Sequence, residues 1–227
     1  MRILGVFLAL LVLIAGAVVW IFRHRSPPVV LPPQPRTVEQ VMAALGNPVD
    51  TRLRPHFDRA GVAYPPPRLV MVAFKAEKRL DLHAPDATGR LRWIRSYPIL
   101  AASGGPGPKL REGDKQVPEG FYRIESLNPN SRFHLSLRVN YPNNEDIARA
   151  RAEGRDPATL GGDIMIHGGA ASIGCLAMGD PAAEDLFVLV QRTGLTDVEL
   201  ILTPRDLRNE TPDAPLHQRL RQALREL

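Results

Sequence analysis

Hydrophobic and polar positions divide the chain into three stretches of different character. The first is unbroken: Ile3 to Phe22 runs ILGVFLALLVLIAGAVVWIF, twenty residues without a charge. At roughly 1.5 Å per residue such a helix reaches about 30 Å, the thickness of a bilayer's hydrocarbon core. Trp20 and Phe22 stand where an interfacial aromatic belt would, and Arg23, His24 and Arg25 close the span. The pattern predicts one N-terminal transmembrane helix. A cleavable signal peptide is the rival, because Ala15-Gly16-Ala17 is a small-residue triplet. The apolar run outlasts that triplet, and the h-region of a signal peptide is only about 7–15 residues long, so an uncleaved anchor is favoured. Basic residues stand on both sides of the span, Arg2 before it and Arg23 and Arg25 after it, so charge gives no orientation.

The second stretch, Ser26 to Arg36 (SPPVVLPPQPR), is rich in proline, which fixes φ and removes donors; it predicts an extended, semi-rigid spacer. The third stretch is periodic. Thr37 is placed to N-cap a short helix, VEQVMAAL, ended by Gly46-Asn47-Pro48. A second helical stretch covers Val49 to Ala60, broken or kinked at Pro55, and Pro65-Pro66-Pro67 stops it. Leu69 to Phe74 (LVMVAF) is an apolar run suited to a strand buried on both faces. Arg79–His83, Leu91–Tyr97 and Phe133–Val139 alternate as half-buried strands do. Between them Ser103 to Gly120 (SGGPGPKLREGDKQVPEG) has no period and predicts a long ordered loop of the kind that carries function. Further elements are an Asn-capped helix over Asn143–Glu153 and a strand Asp163–Ile166 running into His167. They continue with a helix over Pro181–Arg192, a strand over Val198–Leu202 and an amphipathic helix over Leu216–Leu227. Many short strands with a few peripheral helices predict a mainly β or α+β domain.

At 227 residues and 44% hydrophobic content the chain can bury a core, and a wholly disordered chain is excluded. A net charge of +5 raises the question of nucleic acid. Twenty-five of the 29 basic residues are Arg, scattered along the chain, and no basic face interleaved with aromatics is formed. A mildly cationic surface suits an anionic membrane or cell wall instead. One cysteine excludes an internal disulfide framework, and with no HExxH or paired-His motif it leaves no recognisable metal site.

That cysteine lies in the informative segment, IMIHGGAASIGCLAM over Ile164–Met178, eight residues after His167. A single Cys beside Leu176 and Met178 is most often a small buried hydrophobe. Here glycines at 168, 169 and 174 let backbone N–H groups approach a reacting carbonyl, and a histidine can activate the thiol. Acyl transfer through a thioester and an inert buried thiol remain level on spacing alone.

His167-Gly168 followed by Ser172-Ile173-Gly174-Cys175 resembles the H-G-x(n)-S-x-G-C signature of the L,D-transpeptidase (YkuD-like) catalytic domain. Ser103-Gly104, Val117-Pro118-Glu119-Gly120-Phe121-Tyr122 and Gly161-Gly162-Asp163-Ile164 extend the resemblance over about Leu69–Leu202. It implies a β-sandwich-like catalytic domain acting on peptidoglycan stem peptides without a cofactor, in cell-wall biogenesis and cell shape. It implies Cys175 as nucleophile, His167 as general base and the Gly168 carbonyl as orienter of the imidazole. The Gly174 and Cys175 N–H groups would form the oxyanion hole and Ser172 would steady the turn.

Many family members carry His and Arg where this chain has Ile173 and Ala177. The variant motif, with the loop Pro108–Gln116, resembles a narrower YafK-like murein branch, whose members include amidases that cut the link between diaminopimelate and an outer-membrane lipoprotein. Lys109, Arg111 and Lys115 are candidates to supply the missing positive charge, and Gln116, Asn140 and Tyr141 to line the cleft; solvated loop charges and a turn ending a strand are the alternatives.

The expected organisation is a membrane anchor or signal segment over 1–25, a linker over 26–36 and a helical extension over 37–66. The catalytic domain then covers 67–204 and a C-terminal helix 205–227. Peptidoglycan lies outside the inner membrane, so the domain is expected in the periplasm, anchored or released. The expected partners are stem peptides, the inner membrane and a wall-linked lipoprotein. The rivals to acyl transfer are a thiol amidase and, in another class, a non-catalytic wall-binding module, which a raised thiol pKa would favour.

Overall fold

The computed structural model describes residues 31–227 apart from Pro106, so the apolar segment Ile3–Phe22 lies outside the described residues. Among the described residues no helix is long and apolar enough to cross a membrane.

Helix α1 (Val38–Ala60) starts where expected. The Thr37 hydroxyl accepts from the Gln40 N–H, and the Gln40 side chain accepts from the Thr37 N–H. The expected stop at Gly46-Asn47-Pro48 and the expected break at Pro55 do not occur: one 23-residue helix runs through both. An interior proline costs about 3 kcal/mol. Against that, Val41, Leu45, Val49, Leu53 and Phe57 recur every fourth residue and are all fully buried. Each such side chain gains roughly 1.5–3 kcal/mol on burial, so the stripe outweighs the missing bonds. Gly61, in the left-handed region at φ 68°, ends the helix.

Among the described residues nine strands follow one another across the sheet in the order β3-β2-β1-β9-β5-β6-β7-β8-β4. They are β1 (Leu69–Phe74), β2 (Arg79–Pro85), β3 (Leu91–Pro98), β4 (Ala101–Ala102), β5 (Gly120–Ser131), β6 (His134–Val139), β7 (Met165–His167), β8 (Leu176–Ala177) and β9 (Val198–Thr203). The pairs β1–β9 and β7–β8 are parallel and the others antiparallel. Strand β5 belongs to both halves. Its Gly120–Arg123 segment pairs with β9, and from Ile124 onward it pairs with β6, with register shifts between Ile124 and Ser126 and between Asn128 and Ser131. A bulge of this kind bends a strand and raises its twist.

The remaining helices are α2 (Asn144–Ala152), α3 (Asp180–Thr193) and α4 (Pro215–Arg225). Every residue of β1 is buried, as its unbroken apolar run requires. Val70, Val72 and Phe74 pack with Leu207, Leu220 and Leu224 beneath α4. Leu69, Met71 and Ala73 point to the opposite face. Helix α1 packs on α3, and α3 on β6 and β7, which fixes the strand that ends in His167. The result is a mixed, sheet-rich α+β fold with the short strands β7, β8 and β4 at one edge.

Pro48→Ala is expected to raise the urea midpoint, because it restores a helical N–H without disturbing the buried stripe. Leu53→Ala is expected to cost about 2–5 kcal/mol in the same titration. A lower midpoint for Pro48→Ala would contradict a continuous helix.

Candidate active site

Strands β7 and β8 run parallel, with Ile166 opposite Leu176 and His167 opposite Ala177. The chain between them, Gly168 to Cys175, is therefore a short crossover that returns the thiol to the level of the strand bearing the imidazole. His167, Ser172 and Cys175 line one cavity of about 390 Å³, with Arg132, Phe133 and Ile173 on its rim. The structure thus brings together the cysteine, histidine and serine of the sequence motif.

The His167 ring is held from two sides. Its Nδ1 lies 2.6 Å from the Gly168 carbonyl. A carbonyl only accepts, so Nδ1 carries the proton and, in the neutral ring, Nε2 is the bare nitrogen. Phe133 stacks on the imidazole with centroids 4.6 Å apart and planes at 26°. Gly168 admits this packing: a Cβ there would stand 2.6 Å from the Phe133 carbonyl oxygen and 2.5 Å from an Asp180 carboxylate oxygen.

Two hydroxyls shape the thiol's turn. Ser172 Oγ accepts from the Cys175 N–H at 2.9 Å and donates to the Cys175 carbonyl at 2.5 Å. Ser103 Oγ accepts from the Gly174 N–H and donates to the Lys115 carbonyl at 2.8 Å. Both N–H groups expected to receive an oxyanion are thus engaged by serine hydroxyls. Ser103 reaches its partner because β4, immediately before it, pairs with β8 so that Ala102 faces Leu176. Gly174 has φ 102° and Lys115 φ 58°, left-handed conformations that turn these groups into the site.

Ionisation is that of a neutral pair. Burial pushes the Cys175 thiol above its ordinary value, with Asp163 adding to the rise; a Met165 backbone hydrogen bond and the Lys109 ammonium oppose it. The thiol donates to the Asp163 carbonyl at 3.6 Å. Burial lowers the His167 pKa, and the Gly168 carbonyl offsets part of the fall. A raised thiol and a lowered imidazole in one cavity stay SH and neutral ring near pH 7. They are not a preformed thiolate–imidazolium pair.

The loop from Ser103 to Glu119 contains no helix or strand among its described residues, yet it is tightly held. The Lys75 ammonium at the end of β1 donates to the Gly107 carbonyl (2.7 Å), the Val117 carbonyl (2.9 Å) and Glu119 Oε1 (2.9 Å). The Glu119 side chain is 0% exposed, and its other oxygen meets His217 Nε2 of α4 at 2.9 Å. Lys109 is also buried; it donates to Asp114 and to the Arg111 carbonyl, and so is already partnered within the loop. Three backbone N–H groups close the loop on Asp114, those of Leu110, Arg111 and Gln116.

Arg111 and Gln116 line a separate cavity of about 580 Å³ together with Arg155. Gln116 Oε1 has no hydrogen-bond partner among the described residues. Asn140 and Tyr141 line neither cavity. They border a hollow with Glu125 and Arg138, where the Asn140 side chain accepts from the Arg123 N–H.

Sequence reasoning left out Phe133 as a lid on the imidazole, Arg132 at the cavity rim, and Lys75. Each depends on pairing distant in sequence. The Ser103-Gly104 pair was available in the motif, but not its bond to Gly174.

Residues 67–200 match the YkuD family, the L,D-transpeptidase catalytic domain. Over 119 residues the chain is 39% identical to "Putative L,D-transpeptidase YafK" of Escherichia coli (strain K12), a match covering 52% of this chain and 45% of that protein. The chain thus aligns with less than half the length of that relative. Its fold is similar to that of the helical cell shape determining protein Pgp2 from Campylobacter jejuni. That crystal structure gives a TM-score of 0.50 at 22% identity, covering 76% of this chain and 59% of that one. A point mutant of the same protein gives 0.51 at 20% identity, covering 83% and 60%. At these identities the likeness is one of fold.

Alkylation of Cys175 by iodoacetamide should be slower at pH 7 than that of a free thiol and should climb as pH passes above the ordinary thiol range, because the raised pKa leaves less thiolate at any lower pH. A plateau between pH 6 and 8 would instead reveal an ion pair. Lys75→Met should destabilise by about 3–5 kcal/mol in urea, since it leaves the buried Glu119 carboxylate with His217 as its one ionisable partner among the described residues. Pairing it with Glu119→Leu should recover most of that loss, and no recovery would show that the ammonium acts on the loop carbonyls alone.

Proposed function

The chain belongs to the L,D-transpeptidase catalytic-domain family, and on that premise we propose that it transfers the acyl group of a peptidoglycan stem peptide through a thioester on Cys175. The observation that carries this reading is the His167 Nδ1–Gly168 carbonyl bond, which leaves Nε2 as the basic nitrogen of a ring lining the same cavity as the thiol. As Sγ attacks the carbonyl beside diaminopimelate, Nε2 takes its proton. The new C–S bond pushes the carbonyl electrons onto oxygen. Collapse of that tetrahedral species breaks the C–N bond, and His167 returns the proton to the departing amine. An acceptor amine then attacks the thioester and regenerates the thiol.

The oxyanion needs donors, and the Gly174 and Cys175 N–H groups are the candidates. Both are held by serine hydroxyls. The carbonyl oxygen takes the place of the Ser103 and Ser172 oxygens as the substrate seats. A neutral Cys–His pair suits this order of events: proton transfer accompanies attack, so the nucleophile forms only when a carbonyl is present.

Wall chemistry sets the compartment. Stem peptides lie outside the inner membrane, so the domain works in the periplasm, carried on the Ile3–Phe22 segment and the proline-rich spacer, or free after cleavage. In this reading cell shape is affected through the cross-links it makes or removes. Arg111 and Lys115 are both exposed, where a substrate carboxylate on the loop side can reach them, with Gln116 beside them. Lys109 acts through the loop it holds.

A second reading shares every step up to the thioester. If water resolves it, the protein is an amidase that releases a wall-linked lipoprotein from diaminopimelate. Ala177 favours it: that position is fully buried in β8 and offers no cation for the carboxylate of the usual donor strand. The wall-binding module takes support from the raised thiol, but it needs neither an oriented imidazole nor a shared Cys–His cavity.

Mass spectrometry of muropeptides and of wall-linked lipoprotein peptides, after incubation with the full chain in detergent, separates the three. New cross-linked or exchanged stems that vanish with Cys175→Ala establish transfer, and stem released from its protein without new cross-links establishes hydrolysis. His167→Gln should lower kcat by about 10²–10⁴-fold in either case. Turnover that survives Cys175→Ala would overturn the assignment of the nucleophile, and no product of either kind would leave the binding module.

A further inference from the structure

Resting on that reading, we propose that Arg132 is the carboxylate anchor of the Cys175 cavity, selecting acyl donors with a free carboxylate beside the scissile amide. Among the described residues Arg132 is the one Lys or Arg lining this cavity; its neighbours Phe133, Met165, Ser172 and Ile173 are neutral. It is exposed, and among the described residues no carboxylate engages its guanidinium, whereas Arg52 and Arg138 are held by Asp185, Glu184, Glu125 and Asp163.

The backbone beneath Arg132 is fixed in place. It sits at the tip of the β5–β6 hairpin, where Ser131 pairs with His134. Asn130 grips Arg36 twice, accepting from its N–H (2.7 Å) and donating to its carbonyl (2.8 Å). The Arg36 guanidinium donates to the His134 carbonyl at 3.0 Å, and the His134 ring meets Glu184 of α3 at 3.0 Å. Ser131 Oγ accepts from the Phe133 N–H, and Phe133 lies flat on His167. Every neighbour on the tip is thus committed to holding it, and Arg132 alone is left with a free head group over the cavity. A planar guanidinium on a preorganised turn is suited to a bidentate carboxylate, and little backbone entropy is lost on binding. It also supplies a cation at the cavity where the buried Ala177 of β8 cannot.

The two-carbon alkylating agents iodoacetate and iodoacetamide test the placement without any peptide. In both, the Cys175 thiolate forms a C–S bond as iodide leaves, and only the first carries a carboxylate. Arg132→Gln should slow alkylation by iodoacetate about tenfold, the low end for a charge-assisted hydrogen bond, and leave iodoacetamide unchanged. Arg132→Lys should fall between. An unchanged ratio of the two rates, or an equal fall in both, would overturn the proposal.

The second arm uses a diaminopimelate stem peptide with its side-chain carboxylate free or amidated. Wild type should prefer the free acid about tenfold in kcat/KM, and Arg132→Gln should erase the preference through KM. Equal loss on both peptides would also overturn the proposal. If no variant turns over either peptide, the acyl-transfer reading fails, while the alkylation ratio still decides the role of Arg132.

Discussion

A single ammonium organises the part of the molecule that does chemistry. Lys75 closes β1, and its three donors go to Gly107, Val117 and Glu119, at the two arms of an irregular loop. An isolated buried charge costs several kcal/mol, so the arrangement persists only because every donor is matched and the opposing carboxylate is shared with His217. Once the loop's arms are fixed, Lys115 is fixed, and with it the carbonyl that orients the Ser103 hydroxyl. Ser103 in turn holds the N–H of Gly174, the residue before Cys175. The site is therefore continuous with the core through a chain of named hydrogen bonds. Helix α4, beyond the matched residues 67–200, contributes to that chain through His217.

The chemistry follows from burial. Removing water from both Cys175 and His167 disfavours their charged forms, so the thiol rises and the imidazole falls. Such a pair is quiet in the absence of substrate. Serine hydroxyls likewise satisfy the Gly174 and Cys175 N–H groups, so neither backbone donor of this turn is left unpaired. Exposed Ile173 (78%) and half-exposed Phe133 (43%) give the cavity an apolar rim against which a peptide can exclude water.

What the sequence makes legible is local. The Thr37 cap, the doubly buried run Leu69–Phe74, the Asn143 cap and the short strand into His167 all depend on neighbours within a few residues. The motif from His167 to Cys175 is likewise contiguous. The continuous helix α1 was hidden because proline is scored as a breaker, while the i, i+4 stripe that overrides it gains its energy only from tertiary burial. Strands β4 and β8, two residues each, carry no periodicity at all and exist through pairing. Lys109 shows the same limit. Its charge suggested a substrate contact, but Asp114, five residues on, takes it into the loop. Arg132 gave no signal in sequence, because its place over the cavity is set by a hairpin tip clamped by Arg36, almost a hundred residues away.

The central claim is that acyl transfer passes through Cys175 with His167 as its base. Intact-mass spectrometry of the full chain, quenched in acid during turnover of a diaminopimelate stem peptide, tests it most directly. The account predicts a mass gain equal to the acyl portion, mapped to the peptide containing Cys175 and lost on treatment with hydroxylamine. Turnover with no adduct, or an adduct on any other residue, would contradict it.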